Sequence, residues 1–247
     1  MHQNARPSRF LAISAAAKPV CAALAMLCGA LGLYMGLFTS PADYQQGETV
    51  RIMYLHVPAA LLASSFYAAM AVASASFLIW RHPLAAILAR EAAPIGAVMT
   101  LICLVTGMLW GKPTWGAYWV WDARLTSMLV LLLLYLGFIG VAGAGGNNLR
   151  TYVASSWLAL IGAINLPIIK FSVNWWNTLH QGESLLRLDG PSIATPMLVP
   201  LLLMLVAFFA LGIGLLCVRV ETALQETKLR RLHIRNRGVK GGFEVRV

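Results

Sequence analysis

The sequence predicts an all-α membrane protein, a bundle of six transmembrane helices with both termini in the cytoplasm. Three observations support this fold class. Of the 247 residues, 59% are hydrophobic and only 11% are charged, whereas a soluble domain usually has about 25% charged residues. The mean hydropathy is +0.73. Finally, apolar runs of about 20 residues, the length that a helix needs to cross a bilayer, recur along the chain.

Six apolar segments are predicted as the membrane helices. They cover residues 19–38, 57–80, 92–109, 125–142, 153–169 and 193–218. The first segment follows the basic residues Arg6, Arg9 and Lys18, but its apolar core is longer than the roughly 7–15 residues of a signal peptide. We therefore expect it to be retained as a helix. The sixth contains Pro196 and Pro200, which predicts a kink.

The chain divides into three parts by composition. Residues 1–18 form a basic N-terminal segment, residues 19–218 form the membrane domain, and residues 219–247 form a basic tail. With six spans both termini share a side, which then carries 14 of the 19 Lys and Arg residues. Because basic residues accumulate on the cytoplasmic side, both termini are predicted to be cytoplasmic. The net charge of +10 then reflects topology and attraction to anionic membrane lipid, and nucleic-acid binding is not expected.

Several function classes lack their sequence signatures. The chain has no nucleotide-binding P-loop and no H-E-x-x-H zinc motif. Its cysteines all fall in apolar spans, and none forms a C-x-x-C pair or a C-x-x-C-H haem attachment motif. No ionisable residue lies deep in a predicted span, which argues against a proton-coupled carrier.

The most unusual stretch is Trp110–Arg124, which reads WGKPTWGAYWVWDAR. Four tryptophans fall within twelve residues: Trp110, Trp115, Trp119 and Trp121. The stretch is predicted to be a short loop at a membrane surface, where one or two indole rings are common. A denser cluster is typical of a platform for a flat, apolar molecule. We expect Asp122 to cap the fourth helix, because a helix N-terminus favours negative charge.

Two histidines are predicted on the same side of the membrane as this loop. His56 ends the first predicted outer loop, residues 39–56, and His180 lies in the third, residues 170–191. Imidazole can occupy both axial positions of a haem iron, and indoles can stack on a porphyrin. Arg51 and Arg124 are candidates for pairing with the propionates, since guanidinium matches a carboxylate fork. The residues thus predict a haem site, although each one singly also fits a helix end or an aromatic belt.

Other residues of the outer face are assigned lesser roles. Trp115, Trp119 and Trp121 are expected to lie nearest the haem, whereas Lys112, Lys170 and Arg187 are expected to be solvated. Because both histidines lie near one surface, stacked haems across the bilayer are disfavoured, and so is a transmembrane cytochrome b.

The segment Trp110–Asp122, with the following ARLTS at Ala123–Ser127, resembles the WWD domain of the haem-handling proteins of cytochrome c biogenesis. In that family the WWD loop lies on the periplasmic face and is flanked in sequence by one histidine on each side. His56 and His180 occupy those positions here. The length and the six helices match the protein C branch of the family. The other members of the family are longer and carry more helices. The resemblance extends from about residue 19 to residue 218 and leaves out the basic tail.

The resemblance implies a multi-pass protein of the bacterial inner membrane that holds haem b transiently at its periplasmic face. His56 and His180 would be the axial ligands, and the tryptophan loop would support the macrocycle. The same loop would help to dock the periplasmic haem chaperone, protein E. Further implied partners are the ABC transporter proteins A and B and the small protein D of the same pathway, which release the loaded chaperone. The chain would form no covalent bond itself, so no enzymatic activity is expected.

Three other functions remain open at the level of the residues. A transporter could move haem or a small molecule through the bundle, with Pro94, Pro167, Pro196 and Pro200 marking broken helices, although no polar residues line a path. A haem enzyme such as a quinol oxidase would show turnover on its own. An apolar scaffold would use the tryptophans only as an interfacial belt.

Overall fold

The computed structural model describes residues 7–145, 148–176, 178–180, 182, 184–185 and 190–241. In this part of the chain the structure is helical, and no strand is present. Seven α-helices follow one another: α1 Pro7–Tyr34, α2 Met53–Trp80, α3 Pro83–Trp115, α4 Ala123–Ala144, α5 Leu149–Gly162, α6 Asn165–Trp175 and α7 Thr195–Gly241. Two short turns join α1 to α2, a π-helical turn at Met35–Thr39 and a 3-10 turn at Glu48–Ile52.

These helices provide six segments that are long and apolar enough to cross a membrane, which confirms the predicted bundle. Helices α5 and α6 together form the fifth segment, Leu149–Trp175. Several helices are longer than predicted, because polar turns at their ends continue the helix beyond the apolar core. Thus α1 already begins at Pro7, and α7 continues to Gly241. In the structure the three outer loops are residues 40–52, residues 116–122 and the described residues between 176 and 194. We call the end of the bundle that carries them the outer end and the opposite end the inner end.

The prediction of a loop from Trp110 is wrong for its first six residues. Helix α3 continues through Trp110 and Pro113 to Trp115. It ends where Gly116 adopts a left-handed backbone, with φ +78°, and donates its N–H to the Lys112 carbonyl at 3.0 Å. Glycine adopts this conformation without the steric penalty of a Cβ. The loop proper is therefore residues 116–122.

The centre of the bundle is packed around two buried tyrosines. Tyr67 of α2 and Tyr135 of α4 meet edge to face, with ring centroids 5.0 Å apart. The Tyr135 hydroxyl donates a hydrogen bond to the Ala63 carbonyl at 2.8 Å and so joins α4 to α2. Gly96 leaves space for this ring, since a Cβ there would lie 2.0 Å from the Tyr135 hydroxyl. Large apolar side chains fill this level of the bundle and close it.

Helix α1 lies at the edge of the bundle and packs mainly along α7. Small residues allow the close approach, since a Cβ on Gly29 would lie 3.6 Å from that of Ala207. Near the inner end, Lys18 of α1 forms an ion pair with Glu221 of α7. Arg219 also reaches α3, with its Nη2 2.8 Å from Glu91 Oε2. Helix α7 therefore holds α1 and α3 together at the inner end.

Candidate functional site

A cavity of about 650 Å³ lies at the outer end between α2, α3, α4, α6 and the outer loops. Its volume falls within the roughly 300–1,000 Å³ of typical ligand sites. The wall towards the centre of the bundle is mostly apolar and includes Ala60, Leu61, Leu104, Met128 and Leu166. The mouth is polar, with contributions from the first outer loop, α4, α6 and the third outer loop. The cavity therefore suits an amphiphilic molecule.

His56 enters this cavity from the first turn of α2. Its Nδ1 lies 3.0 Å from the Cys103 carbonyl and 3.1 Å from the Thr106 hydroxyl oxygen, both on α3. The Thr106 hydroxyl donates its own hydrogen to the Ile102 carbonyl at 2.6 Å. Nδ1 therefore carries the proton and donates it, so that Nε2 keeps its lone pair. The ring edge packs on Trp110, with centroids 5.7 Å apart.

His180 lines the same cavity from the third outer loop. Its Nδ1 lies 2.7 Å from Oδ2 of Asp122, an oxygen that also accepts a hydrogen bond from the Thr178 hydroxyl. The ring packs edge to face on Trp115, with centroids 4.7 Å apart. Asp122 and Trp115 thus fix the position of a histidine that no helix carries.

Asp122 connects this histidine to α4. Its Oδ1 accepts the backbone N–H of Leu125 at 2.8 Å, so the predicted N-cap of α4 is confirmed. Burial acts to raise the pKa of Asp122, but hydrogen bonds from Thr178, the Leu125 amide and His180 outweigh it and lower that pKa. Burial also lowers the pKa of His180. A neutral imidazole next to an ionised carboxylate donates through Nδ1, which leaves Nε2 as a ligand atom.

The two histidines therefore face one cavity in the same tautomer. Histidines that bind a metal commonly donate their second ring nitrogen to a carboxylate or a backbone carbonyl, and here His180 and His56 show one case each. Two imidazoles supply two ligands. An iron between them would take its remaining ligands from a macrocycle, as haem iron does.

The structure divides the four tryptophans into two pairs. Trp110 and Trp115 line the cavity, and the indole N–H of Trp110 donates to Oε1 of Gln46 at 2.8 Å. Trp119 and Trp121 lie outside the lining and pack edge to face, with centroids 5.4 Å apart. Trp121 is 75% exposed. Of the three tryptophans expected to lie nearest the haem, Trp115 lines this cavity, whereas Trp119 and Trp121 do not. Trp110 lines it as well.

The structure also separates the basic residues of the outer end into those that line the cavity and those that do not. Of the two arginines proposed to pair with propionates, Arg124 lines the cavity and Arg51 does not. The Arg51 guanidinium donates to the Gly36 carbonyl at 2.8 Å and pairs with Glu48, so it fastens the first outer loop. Lys112 donates to the Gly116 carbonyl at 3.0 Å, outside the cavity. The predicted solvated residue Arg187 lies outside the described residues.

Sequence reasoning missed two residues of the mouth. Lys170 is exposed, as expected, but it also lines the cavity from the last turn and a half of α6. Its spacing from Leu166 and Ile169, four and one residues earlier, places all three towards one side of a helix, and this was the available signal. Gln46 lines the cavity through a loop fold that no spacing indicates.

Comparison with known proteins identifies the family. The family model described as Heme exporter protein C matches residues 1–235. The protein of that name from Bradyrhizobium diazoefficiens is 48% identical over 230 residues, which are 93% of this chain and 87% of the relative. Its namesake from Haemophilus influenzae is 43% identical over 94% of both chains. Another, from Escherichia coli, is 44% identical over 94% of this chain and 93% of the relative. The chain therefore belongs to the Heme exporter protein C family.

Proposed function

We propose that this chain handles haem b in cytochrome c maturation, holding it transiently at the periplasmic face of the bacterial inner membrane. His56 and His180 are the axial ligands, and the haem is presented to the periplasmic chaperone, protein E. One observation carries the proposal. Both histidines line a single cavity, and the contacts of each Nδ1 leave each Nε2 available to iron. The family name of the relatives points to the same cargo.

The residues of the cavity fit this cargo in three respects. The two imidazoles line the same cavity and could both ligate the iron. Trp110 and Trp115 offer apolar ring surface beside them, which suits a porphyrin. Arg124 lines the same space and can pair with a propionate. Haem itself brings the iron and the vinyl group that takes part in loading, so the chain needs only to bind and orient it.

Presentation to a chaperone is supported by the second pair of tryptophans. Trp121 is exposed beside the site, and Trp119 packs against it. A partner that docks on these rings meets the mouth of the cavity next to His180, because Asp122 joins the loop to that histidine. In this proposal the covalent bond to the haem vinyl group is formed by the chaperone and not by this chain. The ABC transporter proteins A and B, with the small protein D, then release the loaded chaperone.

The test is an absorbance spectrum of the purified protein expressed with haem available. We expect a low-spin, six-coordinate haem in the parent, and loss of that spectrum in His56→Ala and in His180→Ala. His82→Ala is the matched control, because His82 lies at the inner end, just before α3. Unchanged haem in both outer variants, or normal chaperone loading by the double variant, would contradict the proposal.

Transport of haem through the bundle is the alternative. The break between α5 and α6 at residues 163–164 is the feature that favours it, since broken helices mark many transporter sites. Against it, Tyr67, Met70 and Leu131 are fully buried below the cavity and fill the path. Haem uptake into sealed vesicles that contain only this protein would favour transport.

A further inference from the structure

The cavity carries charge of one sign among its described lining residues. Two of the described lining side chains are basic, Arg124 and Lys170, and none of them is acidic. Arg124 is half-buried in the first turn of α4, whereas Lys170 is exposed at the rim on α6. A cationic cavity favours an anionic ligand, and two separate cations favour a ligand with two anionic groups.

The two cations lie on the same side of the cavity. Helix α6 packs on α4, and Asn165 at the start of α6 fixes this pairing by donating from Nδ2 to the Ser127 carbonyl at 2.8 Å. The facing side is formed by the first outer loop, which contributes only neutral groups, Gln45, Gln46 and Thr49. Among the described lining residues, the charge of the mouth is therefore unequal between these two sides.

We propose that Lys170 is a specificity-determining residue that binds one carboxylate of the cargo while Arg124 binds the other. This inference rests on the proposed function and deepens it. The cavity then selects flat, apolar molecules with two carboxylates at one edge, and it orients that edge towards α4 and α6. A lysine suits the rim, because its ammonium is a compact charge on a flexible stem that can follow a cargo as it leaves.

The test compares three ligands that separate the two kinds of recognition. Haemin has iron and two carboxylates, haemin dimethyl ester has iron and no free carboxylate, and protoporphyrin IX has carboxylates and no iron. Quenching of tryptophan fluorescence reports the binding of all three to the purified full chain in non-ionic detergent. The variant is Lys170→Met, which keeps the length of the side chain and removes its charge. Lys112→Met is the matched control, since Lys112 lies outside the cavity.

We expect Lys170→Met to weaken the binding of haemin and of protoporphyrin IX by about three- to tenfold, the range for a partly exposed charged contact. The dimethyl ester should bind as it does to the parent, and the loss should shrink at high salt because exposed charges are screened. Lys112→Met should leave all three affinities unchanged. The inference is overturned if Lys170→Met weakens the binding of the ester as much as that of haemin, or if it weakens the binding of none of the three ligands.

The same titrations separate this inference from the proposed ligation. Replacing His56 or His180 by alanine should weaken haemin and its ester and leave protoporphyrin IX unchanged, because only the first two contain iron. If these variants bind haemin normally while Lys170→Met still distinguishes acid from ester, the axial ligation fails and carboxylate recognition stands. If the histidine variants lose haemin binding while Lys170→Met does not distinguish acid from ester, the axial ligation stands and the role of Lys170 is rejected.

Discussion

At the scale of single residues, the two carboxylate oxygens of Asp122 have different roles. One oxygen caps α4, and the other accepts a hydrogen bond from the Nδ1–H of His180. The cap could be predicted from the sequence, because an aspartate directly before an apolar helix is a common N-terminus. The link to His180 could not, since 58 residues separate the two partners and only the folded third loop brings them together.

Replacing Asp122 by alanine should therefore have two effects. Loss of the cap should destabilise the protein by about 1 kcal/mol, and loss of the acceptor should weaken haem binding by roughly tenfold or more, as for other partners of metal-binding histidines. Thermal unfolding and haem titration measure the two effects separately.

Asn148→Ala provides the control for Asp122→Ala. Asn148 caps α5 at the inner end by accepting the Arg150 N–H at 3.1 Å, and it does not line the cavity. We expect a similar loss of stability with unchanged haem affinity. Equal loss of haem binding in both variants would mean that Asp122 acts only through the stability of its helix.

At the scale of helices, the apolar pattern predicted where the spans lie but not where they end. The end of α3 depends on the left-handed backbone of Gly116 rather than on the tryptophans or on Pro113. The break between α5 and α6 likewise falls at residues 163–164, before Pro167 rather than at it. Helix ends depend on local backbone geometry and on tertiary contacts such as that of Asn165, and hydropathy records neither.

Helix packing at the centre of the bundle depends on Gly96. A methyl group there would lie 2.0 Å from the Tyr135 hydroxyl, so Gly96→Ala must displace a fully buried ring and its bond to Ala63. Over-packing of this kind typically costs about 1–3 kcal/mol. We expect a clear fall in the thermal midpoint of the protein in detergent.

Gly140→Ala is the matched substitution for this prediction. A Cβ at Gly140 of α4 meets nothing within 4 Å, and alanine is favoured over glycine in a helix by about 1 kcal/mol. This variant should be as stable as the parent or slightly more so. A stable Gly96→Ala variant would show that α3 and α4 can separate without cost.

At the scale of the whole molecule, the number of spans was predictable and the position of the cavity was not. Six apolar runs are visible in the sequence, and the structure contains six membrane-length segments. The set that forms the cavity draws on residues from Gln45 to Leu185, which meet only through the packing of four helices. His56, His180 and Arg124 were proposed from their chemistry and line the cavity. Arg51 was proposed on the same grounds, but it contacts Gly36 and Glu48 instead.

The orientation of the bundle remains a prediction from its charges, and cysteine labelling tests it. In a variant without the native cysteines, Tyr44→Cys in the first outer loop, where Tyr44 is 90% exposed, should react with a membrane-impermeant maleimide in intact spheroplasts. Leu149→Cys at the inner end, where the native side chain is 60% exposed, should react only after permeabilisation. The reverse pattern would place the cavity and both histidines in the cytoplasm.

The pairing of α1 with α7 sets an order of assembly during synthesis. Helix α1 leaves the ribosome well before its main packing partner, α7, and the contacts of Gly29 with Ala207 and of Lys18 with Glu221 join the two helices. At a synthesis rate of about 5–20 residues per second, α1 waits in the lipid for roughly ten to forty seconds. Its exposed face must meanwhile tolerate lipid or a temporary protein neighbour, and we expect this outermost helix to pack into the bundle only after α7 has been made.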